Sequence, residues 1–164
     1  MWLSDRRTFL AFLAAGTLGA CGFTPVYGPG GTGEGLRGAI TIAAPDDREG
    51  FELVKQLESR LGRNLSAPYR LSYKITTRTQ GMGVTPSQEI TRTQVLGAIE
   101  YQVVHAASGD VVHEGSVSNF TSYSSEGSTV STASVERDAY RRLMISLADL
   151  ITTRLMGGYS SWAR

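Results

Sequence analysis

Apolar residues are spaced regularly through residues 39–155, and each change of spacing marks a new element. Ala39-Ile40-Thr41-Ile42-Ala43 is short, β-branched and closed by Pro45, which predicts a strand. From Gly50 to Leu61 the period changes. Phe51, Val54, Leu57 and Leu61, with Leu53 alongside, form a stripe of period 3.6, and Lys55, Gln56, Glu58, Ser59 and Arg60 largely cover the other side. Asp46-Asp47 supply caps and an acidic first turn for this helix, and Gly62 supplies its stop.

Strand alternation follows. Tyr69, Leu71, Tyr73 and Ile75 alternate with Arg70, Ser72, Lys74 and Thr76 across Tyr69–Thr77, the pattern of a sheet covered on one side. Residues Gly81–Ser87 are expected to form a loop. A long extended run over Ile90–Ala106 puts Val95, Ile99, Tyr101 and Val103 on one face and Arg92, Gln94, Glu100 and Gln102 on the other. Ser108-Gly109-Asp110 is a hairpin turn. Its partner strand, Val111–Tyr123, alternates less cleanly. Val111 and Val117 share one phase and Phe120 the other, which a bulge would explain.

Ser122–Ser134 is expected to be a Ser/Thr-rich loop, with Ser131, Thr132 or Ser134 capping the next helix. That helix runs over Val135–Leu155, with Tyr140, Leu143, Met144, Leu147, Leu150, Ile151 and Leu155 on one stripe and Gly157-Gly158 as its end. Burying such side chains contributes roughly 1.5–3 kcal/mol each before entropy. The surface able to cover the stripe is the inner face of the sheet. The expected fold is therefore α+β in the order β-α-β-β-β-α. Two helices pack on one face of a mostly antiparallel four-stranded sheet.

The first residues follow different rules. Arg6-Arg7 precede an apolar run, Phe9–Ala15, and then Leu18-Gly19-Ala20-Cys21 resembles a bacterial lipobox. Small residues let a signal peptidase bind the extended backbone, and the thiol accepts diacylglycerol. The run is too short for a membrane span, which takes ~20 apolar residues. Asp5-Arg6-Arg7-Thr8-Phe9-Leu10 is similar to a twin-arginine export signal, while any signal peptide also requires a basic start. The expected division is a signal peptide over 1–20, a lipidated tether over 21–38, a domain over 39–158 and a tail over 159–164. Seven of residues 22–38 are glycine, so this segment has little apolar surface with which to order itself. Phe23, Val26 and Tyr27 are its exceptions, suited to docking on the domain or on a partner.

Cys21 is the only cysteine, so its lipidation leaves no thiol for a disulfide, a metal or nucleophilic catalysis. The chain holds 16 basic and 15 acidic side chains; without residues 1–20 there are 14 of each. That balance argues against nucleic-acid binding through bulk charge. His105 and His113 flank the hairpin, but no third metal ligand is positioned near them, so they are expected to face solvent or line a rim. No nucleophile elbow and no phosphate loop is present. An enzyme, a cofactor and a metal centre are therefore not expected. Arg70, Lys74 and Arg78 recur every four residues on the polar face of one strand, with Arg92 on the next. Such a row suits phosphates of an anionic amphiphile, or is a solvated face that discourages edge pairing.

Cys21-Gly22-Phe23-Thr24-Pro25-Val26-Tyr27-Gly28 resembles the start of the LptE family, also called rare lipoprotein B, with an Arg-Arg signal of alphaproteobacterial type. The inferred element order and the length are similar too. The resemblance implies a lipoprotein of the outer membrane, lipidated on Cys21 and facing the periplasm. It also implies a plug within the β-barrel LptD, a translocon that assembles lipopolysaccharide into the outer leaflet. Gly22 is compatible with sorting to the outer membrane. Arg70, Lys74, Arg78 and Arg92 are lipopolysaccharide candidates from the strand pattern, not from the family motif. A lipoprotein serving another barrel or a secretin would show the same anchor and fold; a periplasmic enzyme would need a pocket for which no residues stand out.

Overall fold

The computed structural model describes residue 28 and residues 31–84, 90–124 and 129–163. The signal segment, Cys21 and the Phe23–Tyr27 stretch lie outside the described residues, as do 85–89 and 125–128. The elements are α1 (Thr32–Leu36), β1 (Ile40–Ile42), α2 (Arg48–Leu61), β2 (Tyr69–Val84), β3 (Ile90–His105), β4 (Val111–Ser124) and α3 (Thr129–Trp162). The strands lie in the order β1-β2-β3-β4. β1 runs parallel to β2, and the two hairpin pairings β2–β3 and β3–β4 are antiparallel. Apart from the short α1, this is the expected β-α-β-β-β-α order and α+β class.

Because β1 and β2 are parallel neighbours, α2 must cross over between them and lands on one face of the sheet. α3 packs beside it, against α2, β3 and β4. Between the layers Leu53, Leu57 and Leu61 of α2 meet Leu71, Val95, Ile99 and Val103 of the sheet and Leu143, Leu147, Ile151 and Leu155 of α3, all fully buried. Gly97 marks the close approach of α3 to β3. A Cβ placed there would lie 2.9 Å from Leu143 Cδ2 and 3.0 Å from Leu147 Cδ1. The caps expected for α2 are present. Asp47 Oδ1 accepts from the Gly50 amide at 2.6 Å, and Gly62 ends the helix at φ +80°, a left-handed value that favours glycine.

Several boundaries differ from the expectation. β2 continues past Thr77 to Val84, so Gly81–Val84 of the expected loop is strand. Its apolar alternation stops at Ile75, but backbone pairing with β3 carries it on to Val84 opposite Ile90. Likewise Ser122–Ser124 belongs to β4, and α3 begins at Thr129, so Ser131, Thr132 and Ser134 lie within the helix. Gly157-Gly158 does not end α3. A mid-helix glycine costs about 1 kcal/mol against alanine, and burying Trp162 on Tyr69 and His113 outweighs it. Residues 159–162 are thus part of the packed domain and not a tail.

The tether is also shorter than expected at its end. α1 docks on α3, Leu36 is fully buried, and the Tyr159 hydroxyl donates to the Gly35 carbonyl at 2.7 Å. Phe51, expected on the buried stripe, is 56% exposed, and Leu53 is buried in its place. The cause is Gly50. Its Cα sits so near the Tyr73 hydroxyl and Pro45 that a Cβ would be 3.1 and 3.3 Å from them. The helix therefore presents Gly50, Leu53, Val54, Leu57 and Leu61 inward and turns Phe51 out. The β4 irregularity lies between Val103/Val104 and their partners His113/Val111, not at Phe120. Val111 is consequently exposed, while Val117 and Phe120 occupy opposite faces of a regular stretch.

Candidate functional site

Period-two alternation places every second residue of β2, β3 and β4 on the face the helices leave open. Register then fixes the rows across it. Ser72, Gln102 and Glu114 form one row; Lys74, Glu100 and Ser116 the next; then Thr76, Ala98 and Ser118; then Arg78, Leu96 and Phe120; then Gln80, Gln94 and Ser122. Arg70 lies at the near end, opposite Val104, and Arg92 at the far end, opposite Ser124. All four sequence-derived cations are exposed and share this face.

The face does not gather them into one cluster. Arg70 and Arg78 are eight residues apart on an extended strand, about 26 Å at ~3.3 Å per residue. Glu100 stands directly across from Lys74, and the Gln102 amide donates to Glu114 Oε2 at 3.4 Å in the adjacent row. The near half is therefore of mixed charge. In the far half Arg92 donates from Nε and Nη2 to Ser122 Oγ at 3.3 and 3.1 Å. Two shallow depressions follow this division. One of about 590 Å³ is lined by Lys74, Glu100, Gln102 and Glu114 among others. The other, about 620 Å³, lies over Thr76, Arg78, Leu96, Ala98, Ser118 and Phe120.

Phe120 is 61% exposed in this second depression. Its off-phase position on β4 was legible in the sequence. What was missing is that register sets it across from Leu96, turning an isolated outlier into an apolar platform beside Arg78.

The buried face has its own polar centre near the C-terminal end of α3. His113 stacks on Trp162 at 5.8 Å between ring centroids and tilts against Tyr101 at 5.9 Å. Trp162 also meets Tyr69 and Tyr159 edge-on, and Tyr69 meets His105. The two histidines are not opposite one another, since His105 pairs with Tyr69 and His113 with Val103. His113 is not a solvent-facing residue at its ring: Nε2 is buried without a hydrogen-bond partner, as are Trp162 Nε1 and the Tyr101 and Tyr73 hydroxyls. Burial lowers the His113 pKa, with the neighbouring Glu114 charge opposing it in part. Burial raises that of Tyr101, against the Arg154 charge. Among the described residues no group of three or more His, Cys, Asp or Glu could hold a metal ion.

Between the helices, Asp149 accepts from Arg60 Nε at 2.9 Å and Gln56 Nε2 at 3.0 Å. Burial pushes the Asp149 carboxyl up, but these hydrogen bonds and the Arg60 charge prevail and hold it below its ordinary value. No described helix is long and apolar enough to cross a membrane.

The architecture is shared with solved structures. A candidate lipoprotein from Caulobacter crescentus superposes with a TM-score of 0.67 at 20% identity, covering 82% of this chain and 99% of that one. Rare lipoprotein B from Shewanella oneidensis gives 0.59 at 8% identity, over 77% and 98%. A minor lipoprotein from Acinetobacter baumannii gives 0.54 at 22% identity, over 73% and 90%. At these identities the likeness establishes the fold. No curated protein sequence matches the chain. The family model for lipopolysaccharide-assembly LptE matches residues 38–155, which is most of the chain and runs from β1 to Leu155 of α3. The protein belongs to the LptE lipopolysaccharide-assembly family.

Proposed function

We propose that the chain is an outer-membrane lipoprotein that plugs an LptD-type β-barrel and assists it in assembling lipopolysaccharide into the outer leaflet, without catalysing a reaction. The supporting observation is a domain of the lipopolysaccharide-assembly family whose two long helices pack on one face of the sheet, leaving the other face open with four exposed Arg and Lys side chains on it. In this reading Cys21 carries the lipid on the periplasmic side of the outer membrane. More than one acyl chain is needed for stable anchoring, each buried CH₂ contributing ~0.8 kcal/mol. Residues 22–31 tether the folded domain. The open face meets lipopolysaccharide through Arg70, Lys74, Arg78 and Arg92, as charge-assisted hydrogen bonds to phosphate would require. A wet, polar barrel lumen suits a domain without net charge.

The test is a mild-detergent pull-down of the full-length lipoprotein from its own outer membrane, with bound proteins identified by mass. A stoichiometric large β-barrel of the LptD type is expected. Recovery of the lipoprotein alone, or with a secretin, would remove the function and leave the fold. A Cys21→Ala variant is expected to leave the outer-membrane fraction. If it fractionates like the native protein, the barrel and not the lipid is the anchor.

A further inference from the structure

We infer that the free edge of β4, with the flank of α3 beneath it, is a docking slot for an extended, uncharged segment of a partner polypeptide. That segment adds a strand to the four-stranded sheet. The inference goes beyond the assembly reading, since it uses neither the lipid nor the cations of the open face.

Strand parity fixes which backbone groups point outward. His105 donates its amide to the Asp110 carbonyl across the hairpin, so the odd-numbered residues of β3 face β4. Their partners Val117, Asn119 and Thr121 are the residues of β4 that bond back to β3. The intervening Ser116, Ser118, Phe120 and Ser122 turn both N–H and C=O away from the sheet. Two contacts agree. The Arg154 guanidinium donates to the Ser116 carbonyl, and the Phe120 amide donates to Asn119 Oδ1 at 2.9 Å. The amides of Ser118 and Ser122 have no such partner among the described residues. The edge also lacks the devices that keep strands apart, which are charge, proline and bulges. Gly115–Ser124 contains no charged residue and no proline, and the β4 irregularity lies before it, at Val111–His113. The other free edge, along β2 beyond its pairing with β1, carries Lys74 and Arg78.

The slot has two apolar walls. Asn119 Nδ2 donates to Ser146 Oγ at 3.0 Å and Arg154 bonds Ser116, so the line Ser146, Leu150, Arg154 runs along β4 on one side of α3. Leu150 is 38% exposed there, whereas Leu147 and Ile151 beside it are fully buried. Phe120 stands exposed on the opposite face of the strand. An added strand alternates its side chains between the two faces. Those turned inward cover Leu150, and those turned outward cover Phe120. Main-chain hydrogen bonds supply the affinity of such strand addition and the alternate side-chain contacts its specificity. Ser116 to Ser122 spans ~20 Å at ~3.3 Å per residue, which accommodates about six residues of the partner. A charge in the middle of that segment would meet no counter-charge between Gly115 and Ser124, so the segment is uncharged.

The test is amide hydrogen exchange, resolved by residue with mass spectrometry, on the full-length protein in membranes of the cells that make it and again after purification in mild detergent. Strand addition has a period-two signature. The amides of Ser118 and Ser122 are expected to exchange at least ~100-fold more slowly in the membrane than in the purified protein, while Val117, Asn119 and Thr121 are protected in both. Ser118→Pro removes an N–H that the fold does not use, and is expected to return the Ser122 amide to its purified rate. Leu150→Glu is a second variant for the same purpose, and the urea midpoint of each confirms that it folds. A benzophenone side chain at position 150 then identifies the occupant from the cross-linked peptide, which is expected to be an uncharged stretch of another protein. Equal exchange of Ser118 and Ser122 in the two samples overturns the proposal. So does protection that persists in the purified protein with a cross-link to residues 22–30, which makes the occupant this chain's own tether, and so does a cross-link to a second copy. Barrel co-purification is scored separately, so loss of the assembly function leaves this slot standing, and loss of the slot leaves the assembly function standing.

Discussion

The two faces of the sheet are built from the same three long strands, one residue out of phase, and they differ in what each residue is required to do. On the inner face Leu71, Val95, Ile99 and Val103 are fully buried under α2 and α3. On the outer face Arg70, Lys74, Arg78 and Phe120 are exposed. The inner pattern is dictated by the fold, because an apolar residue there offsets the entropy of ordering the chain. The outer pattern is not. A run of Ser and Thr would satisfy an open face equally well, so a cation beside a phenylalanine there is not dictated by core packing. Separating the two faces therefore separates stability from binding, and substitutions can test whether the separation is as complete as the packing implies.

The largest effects belong on the inner face. Leu147 is fully buried where α3 presses on Gly97. Leu147→Ala is expected to cost about 2–5 kcal/mol, read as a lowered urea midpoint. Gly115 comes next. It faces inward, directly opposite Tyr101, and an added Cβ would stand 2.7 Å from the Tyr101 hydroxyl and 2.9 Å from Cζ. The ring is 2% exposed and flanked by His113, so it has little room to yield. Gly115→Ala is expected to destabilise by about 1–3 kcal/mol. A neutral result would mean that the inner face near α3's C-terminal end is looser than its burial suggests.

This division also explains what could be read from the sequence. The inner face was legible because burial imposes period two on strands and 3.6 on helices; Tyr69 through Ile75 and Val95 through Val103 follow it. Where other forces hold the backbone, the signal fades. The continuation of β2 to Val84 depends on pairing with β3 and leaves no apolar mark. The persistence of α3 through Gly157-Gly158 depends on Trp162 reaching a pocket formed by Tyr69 and His113, residues some 50 to 90 positions earlier. The inward turn of Gly50 depends on Tyr73 and Pro45. On the outer face the cations were legible as a strand pattern, but the platform was not. Leu96 and Phe120 become neighbours only through the β3–β4 register.

One inner residue links stability to pH. His113 has its ring between Tyr101 on β3 and Trp162 on α3, and Nε2 has no partner. The charged groups nearby are Glu114 on its own strand and Arg154 of α3, whose guanidinium bonds the Ser116 carbonyl and acts on Tyr101. Burial favours the neutral imidazole, so the folded-state pKa lies below the ordinary 6.5. The unfolded chain therefore binds the proton first as pH falls. Stability is full above 6.5, declines through the interval below it, and levels off once the folded-state pKa is passed. Urea unfolding at pH 7.5 and at pH 5 measures this. His113→Phe, which keeps the stack and removes the proton site, is expected to flatten that part of the profile. An unchanged profile would place the acid sensitivity elsewhere.

The smallest effect is expected on the outer face, and it is the most discriminating. Phe120→Ser removes a large apolar side chain, a change that in the core would rank with the costliest. Here the ring is 61% exposed and lies outside the buried cluster. The open face is held by backbone pairing, which the substitution leaves intact, and serine already occupies positions 116, 118, 122 and 124 of the same strand face. The change in unfolding free energy is expected to stay within about 0.5 kcal/mol. Arg78→Gln, one row neighbour away, is expected to behave the same way. If Phe120→Ser instead costs as much as Gly115→Ala, the ring is packing against something within the chain, and the outer face carries part of the fold. If stability holds, the outer face carries none of the fold at that position, and substitutions there can be read for binding alone.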